Sequence, residues 1–214
     1  ACTASFFLSA LTSDDTIKQA CYAKLETLLE TTMPPGYHGK ILHVNLTDGA
    51  ISTQQPGEAF YRKYMGGSAM GMYYILNGVP SGTDPLGPEN ILTLMLSVLT
   101  GAPISGQSRL TANAKSPLVD GIGDSQCGGF FPAELKFAGY DGIVVRGQSP
   151  EPVYLWIKDG EAELRDAAHL WGETTGTVDE ILKNELDDQK IEVLQCGPAG
   201  EKLVRVVAII NMAN

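Results

Sequence analysis

The chain has 214 residues, enough for one large domain or two small ones and for a substantial buried core. Hydrophobic residues make up 43% and charged residues 19%, the balance of an ordinary folded domain rather than a disordered or fibrous one. A formal net charge of −10 with no offsetting basic run argues against nucleic acid or an anionic membrane as partner, and no apolar run approaches the roughly 18 residues of a membrane-spanning helix.

Residues 1–35 stand apart. Between Asp14 and Thr31 apolar residues recur at Ile17, Ala20, Cys21, Leu25, Leu28 and Leu29, close to a 3.6 period, which predicts an amphipathic helix capped by Ser13 or Asp14. The basic start of a secretory signal is missing. A helical N-terminal extension and an added upstream segment both remain open readings, and the main domain is placed over residues 36–214.

From Gly39 the period changes to two. Leu42, Val44 and Leu46 alternate with His43 and Asn45, and Thr47, Asp48 and Gly49 turn the chain into Ala50–Thr53, a hairpin. Residues 57–77 read as helix interrupted at Gly66 and Gly67, with Phe60, Tyr64, Met65, Met72, Ile75 and Leu76 as its core positions. A Pro/Gly-rich loop over Val79–Asn90 precedes Ile91–Leu99, an almost wholly apolar buried strand.

Leu110–Ala114 and Ile143–Val145 read as strands, and Pro132–Ala138 as a short helix with proline first. Val153–Ile157 and Ala162–Leu164 form a second hairpin across Lys158, Asp159 and Gly160. Thr177 and Glu180 match a capping box that opens a helix with Val178, Ile181, Leu182 and Leu186 on one face. Ile191–Leu194 and Leu203–Ile210 complete the strands. Many short strands with a few helices predict an α+β domain.

Between Thr100 and Asp141 the sequence is richest in chemistry. Glycines at 101, 106, 121, 123, 128, 129 and 139 permit positive φ and close backbone approach. Among them lie Arg109, a fork suited to holding two anionic oxygens, and Lys115, which reads as a structural or solvated charge. Asp124, Ser125, Gln126 and Cys127 run directly into Gly128 and Gly129. Composition alone leaves both a phosphate cradle and a plain set of Gly-rich turns open.

The cysteines, Cys2, Cys21, Cys127 and Cys196, form no Cys-x-x-Cys pair, which suits a reducing, cytoplasmic setting and excludes a closely spaced iron–sulfur or zinc set. Cys127 could act as a nucleophile only with a base, and His38, His43 and His169 have no local motif linking them to it. Cys196 reads as a small buried residue at a strand end. Asp141 and Glu134 are carboxylates that nothing in the sequence pairs for catalysis.

The run GIGDSQCGGFFPAELKFAGYD over Gly121–Asp141 resembles the N-terminal domain of the aldehyde ferredoxin oxidoreductase family. GKILHVNLT over Gly39–Thr47, DPLGPEN over Asp84–Asn90, AKSPL over Ala114–Leu118, RDAAHLWG over Arg165–Gly172 and GPAGE over Gly197–Glu201 extend the likeness in the family's order. The resemblance implies a β-rich platform of two similar halves with a few helices. It further implies a tungsten (or molybdenum) bis-pterin cofactor and oxidation of aldehydes to carboxylic acids, with electrons passed to ferredoxin.

By the same likeness Arg109, Gln126 and Gly128 fall at cofactor-binding positions. Gln126 stands where the family usually carries an Asn whose carbonyl helps hold a magnesium ion bridging the two pterin phosphates; if the side chain takes part, the extra methylene matters. A family Gly-Gly-Arg-Gly stretch appears as GGSA over Gly66–Ala69, so that arginine's contact is lost. The iron–sulfur ligands and substrate pocket are implied only downstream, in remaining domains or a partner chain, so this chain by itself is expected to be an incomplete, inactive part. The alternative is a non-catalytic binding module that kept the platform.

Overall fold

Ile41–Asn45 (β1) is an interior strand, and its residues show it: Ile41, Leu42 and Val44 are all buried, so both faces of the strand are covered. A turn with Gly49 at φ 72° and the Asp48 carboxylate accepting from the Ala50 N–H leads into Ala50–Gln54 (β2), an exposed edge strand. The backbone coordinates come from a computed structural model, which describes Met33 and residues 35–211. The chain divides into two units at Pro35 and Gly36, and the helix expected over residues 14–31 lies outside the described residues.

Glu58–Tyr64 (α1) and Gly67–Gly78 (α2) are two helices where one interrupted helix was expected, broken at Gly66, which sits at φ 150°. Ile91–Leu96 (β3), Leu110–Lys115 (β4), Ile122–Cys127 (β5) and Gly142–Arg146 (β6) complete a six-stranded sheet of order β2-β1-β6-β3-β4-β5. β1 and β6 are parallel and every other pair is antiparallel. With Phe131–Phe137 (α3) inserted between β5 and β6, this is the expected α+β architecture.

α2 covers one sheet face at β3 and β4 through Met70, Gly71, Tyr74 and Ile75. Gly71 is required there, because a Cβ would strike the Asn113 and Thr93 side chains. Met65 and Leu76, expected in the core, instead face outward, and Tyr61, Met70 and Tyr74 take their place. The opposite face carries the main core of Leu42, Val44, Leu94, Leu96, Leu110 and Ile143, closed by Leu135 of α3 and by Tyr140.

Val153–Lys158 (β7) and Glu161–Asp166 (β8) form the second hairpin and pack Leu155, Ile157, Ala162 and Leu164 on that core. Thr175–Glu185 (α4) buries Val178 and Leu182 against Ala167 and Leu170. Its N-cap is Thr174, whose hydroxyl oxygen accepts from the Thr177 N–H at 3.3 Å, so Thr177 lies inside the helix rather than starting it. Leu194–Gln195 (β9) and Ile210–Asn211 (β10) pair antiparallel on either side of Gly197–Glu201 (α5). The expected strand over Leu203–Ile210 is therefore almost entirely irregular.

Candidate functional site

β4 and β5 pair with Leu110 opposite Cys127, Thr111 opposite Gln126 and Asn113 opposite Asp124. Pleating sends alternate residues to opposite faces, so Gln126 shares the α2-covered face with Thr111 and Asn113, while Leu110 and Cys127 face the main core. The stretch Asp124–Cys127, for which the sequence left a phosphate cradle and plain turns both open, is thus the edge strand of the sheet. Its side chains at 124, 125 and 126 are exposed, which is why no apolar alternation marked it.

Arg109 and Gly128 extend this ladder at the strand ends and meet. A Cβ on Gly128 would lie 2.8 Å from a terminal guanidinium nitrogen of Arg109 and 3.6 Å from the Ser108 carbonyl oxygen. The exposed guanidinium donates to the Ser108 carbonyl at 3.0 Å, and the Thr100 hydroxyl holds the Arg109 carbonyl at the same distance. The Ser108 hydroxyl donates to the Gly129 carbonyl, locking the two strand ends together.

The N-terminus of α2 opens toward this same edge. A Cβ on Gly66 would lie 2.6 Å from the Leu96 carbonyl oxygen, and one on Gly67 would lie 3.1 Å from the Thr111 hydroxyl. No side chain caps this helix start. A helix N-terminus carries partial positive charge, so it and Arg109 together favour an anion.

Two participants at this edge escaped sequence reasoning. Ser108 is one. The other is Asn211, 83 residues beyond Gly128, whose side-chain amide donates to the Gly128 carbonyl at 2.9 Å. No local pattern could have signalled it, since β10 reaches this place only through the fold. The same amide and the Arg109 charge act on the Cys127 thiol, but burial outweighs both and pushes its pKa up, so it is protonated at neutral pH.

The other residues singled out lie elsewhere. Asp141 is 1% exposed and accepts from the backbone N–H of His38, Gly39 and Lys40, from the Tyr61 hydroxyl at 3.1 Å and from Lys136 at 2.6 Å. Glu134 lies on α3. His43 bonds Gln54, and His169 bonds Glu185 at 2.9 Å. Lys115 ties the Thr83 carbonyl to Asp120, a structural brace. Cys196, expected to be buried, is exposed beside α5. Among the described residues no group of three or more His, Cys, Asp or Glu is placed to hold a metal ion, and no helix is long and apolar enough to cross a membrane.

The family model for the aldehyde ferredoxin oxidoreductase N-terminal domain matches residues 41–214. The chain belongs to this family. It is 42% identical over 176 residues to the tungsten-containing aldehyde ferredoxin oxidoreductase of Pyrococcus abyssi, and 33% identical over 190 residues to the aliphatic sulfonate oxidoreductase WOR-like subunit of Pyrococcus furiosus. These alignments take in 82% of this chain and 29% and 30% of the relatives, so the chain spans less than a third of their length. Among solved structures it superposes on the active-site complex BamBC of benzoyl coenzyme A reductase with a TM-score of 0.80 and 36% identity, covering 82% of this chain and 27% of that one.

Proposed function

We propose that this domain is the cofactor seat of a cytoplasmic tungsten (or molybdenum) bis-pterin aldehyde:ferredoxin oxidoreductase, with Arg109, Gln126 and Gly128 as the holding residues. The observation that carries this reading is the meeting of Arg109 and Gly128 at the β4–β5 end, with the uncapped start of α2 at the same edge. One further feature fits a phosphorylated ligand: the space that a Gly128 side chain would fill lies against the guanidinium.

Each residue has a distinct task. Arg109 grips two phosphate oxygens at once, which a lysine point charge cannot do. Gly128 keeps the backbone low, so that ligand and guanidinium share one space. Gln126 stands exposed on β5 and offers carbonyl oxygen, the donor type a magnesium ion between phosphates takes. The first-turn amides of α2 add positive potential without bringing a titratable proton. When bound, the metal centre supplies the two-electron chemistry that turns an aldehyde into a carboxylic acid, with electrons passing through an iron–sulfur cluster in the remaining domains to ferredoxin.

Arg109→Ala and Arg109→Lys in the full-length polypeptide test this. A charge-assisted hydrogen bond contributes about 1.5–3 kcal/mol, so tungsten per polypeptide at limiting metal should fall by about tenfold to a hundredfold. Arg109→Lys should rescue it only in part. Unchanged tungsten content in both variants contradicts the reading.

A further inference from the structure

The 12-residue helix α2 begins directly over β4. A Cβ on Gly67 would lie 3.1 Å from the Thr111 hydroxyl oxygen. Gly66, at φ 150°, brings the helix start this low, since a Cβ there would lie 2.6 Å from the Leu96 carbonyl oxygen. Thr111 is 5% exposed, yet among the described residues its hydroxyl has no hydrogen-bond partner and does not cap the helix. The amide oxygen of Asn113 on the same strand is sealed by protein, whereas the Thr111 hydroxyl is not. A polar group so deeply set and still unpaired calls for a partner from outside the protein. Thr111 pairs with Gln126, so it shares the face that carries Arg109 and Gln126. The carboxylate on that face, Asp124, is taken up one pair farther along, where the Asn113 amide donates to it at 2.9 Å.

We infer that the start of α2 is a second anion subsite, formed by the Thr111 and Ser68 hydroxyls and the first-turn N–H groups, and that it takes a second phosphate group of the ligand whose first phosphate Arg109 holds. The inference rests on the cofactor reading above and divides the anionic load between two places. The two subsites differ in kind. Arg109 brings a full charge on an exposed side chain at the strand end. Gly67, Ser68, Ala69 and Met70, which open the helix, carry no charge of either sign, so the field there comes from the backbone alone. Gln126, opposite Thr111 and two places from Gly128, borders both subsites, which accords with a ligand whose two phosphates share one cation.

Ser68→Asp and Thr111→Val in the full-length polypeptide test this, with Arg109→Ala measured in parallel. A carboxylate in the first turn favours the helix but repels an anion bound there, so Ser68→Asp protein prepared without tungsten should unfold at the same temperature or slightly higher. Thr111→Val keeps the shape and removes only a hydroxyl that the protein leaves unpaired, so its metal-free unfolding temperature should also hold. Tungsten and acid-released phosphate per polypeptide should nevertheless both fall about tenfold at limiting metal in each variant. If Arg109→Ala depletes tungsten while Ser68→Asp or Thr111→Val retains it, the inference fails alone. If none of the three depletes it, the cofactor reading fails and takes the inference with it. Loss of phosphate without loss of tungsten would put a free phosphate ion at the helix start, which also contradicts the inference. A metal-free unfolding temperature lowered by several degrees in either variant makes that residue structural and overturns the inference.

Discussion

Asp141 gathers three backbone N–H groups, a phenol and an ammonium around one buried carboxylate, and so ties the entry to β1, helix α1 and helix α3 to the start of β6. Burial and the nearby carboxylate push the Tyr61 phenol up, which keeps it a donor. Asp141→Ala would leave Lys136, 6% exposed, without its partner. The expected destabilisation is about 3–5 kcal/mol, readable as a fall in the urea midpoint. Gly128→Ala should behave differently. Its Cβ meets the mobile end of Arg109, and Gly128 does not need positive φ, so stability should change by no more than about 0.5 kcal/mol while tungsten content falls. Cys127 should resist alkylation at pH 7, because burial keeps its thiol protonated; the rate should rise only above the ordinary thiol range. Rapid modification at neutral pH, read by peptide mass spectrometry, contradicts that. Arg109 and Gly128 were singled out only through the family resemblance, because composition alone leaves plain Gly-rich turns equally open. Asn211 and Ser108 were not, because their roles depend on contacts that register and topology create.

At the scale of elements, the hairpins and the apolar strands β3 and β6 followed from period and composition, since buried strands carry their pattern in their side chains. β5 did not. It is an edge strand whose exposed polar residues imitate a turn, and only its pairing with β4 shows what it is. Leu203–Ile210 failed in the opposite sense. Its β-branched residues have strand propensity, yet within the described chain only Ile210 and Asn211 pair, leaving Leu203 at 61% and Val206 at 74% exposure. Propensity cannot make a strand without a neighbour to bond. This segment and the apolar cavity of about 670 Å³ lined by Leu135, Trp156, Val178 and Leu182 should bind a hydrophobic dye in the 214-residue chain. Val206→Lys should lower dye fluorescence and leave the unfolding temperature within about a degree, as for an exposed site. A drop of several degrees would show that Val206 is packed.

At the scale of the whole molecule, the chain accounts for 29% of the length of its Pyrococcus abyssi relative, and the proposed seat is one-sided. Arg109, Gln126, Gly128 and the start of α2 stand at one edge of a six-stranded sheet, and the thiol beside them, Cys127, is kept protonated by burial. That arrangement suits a domain that binds and orients a reactive group rather than one that carries out chemistry with its own side chains. Anomalous X-ray scattering at a tungsten absorption edge, from crystals of the full-length metal-loaded protein, tests this most directly. The account predicts that the metal lies over the β4–β5 end, on the face that carries Arg109 and Gln126. A tungsten position on the opposite face, over the β7–β8 hairpin and the main core, would contradict it.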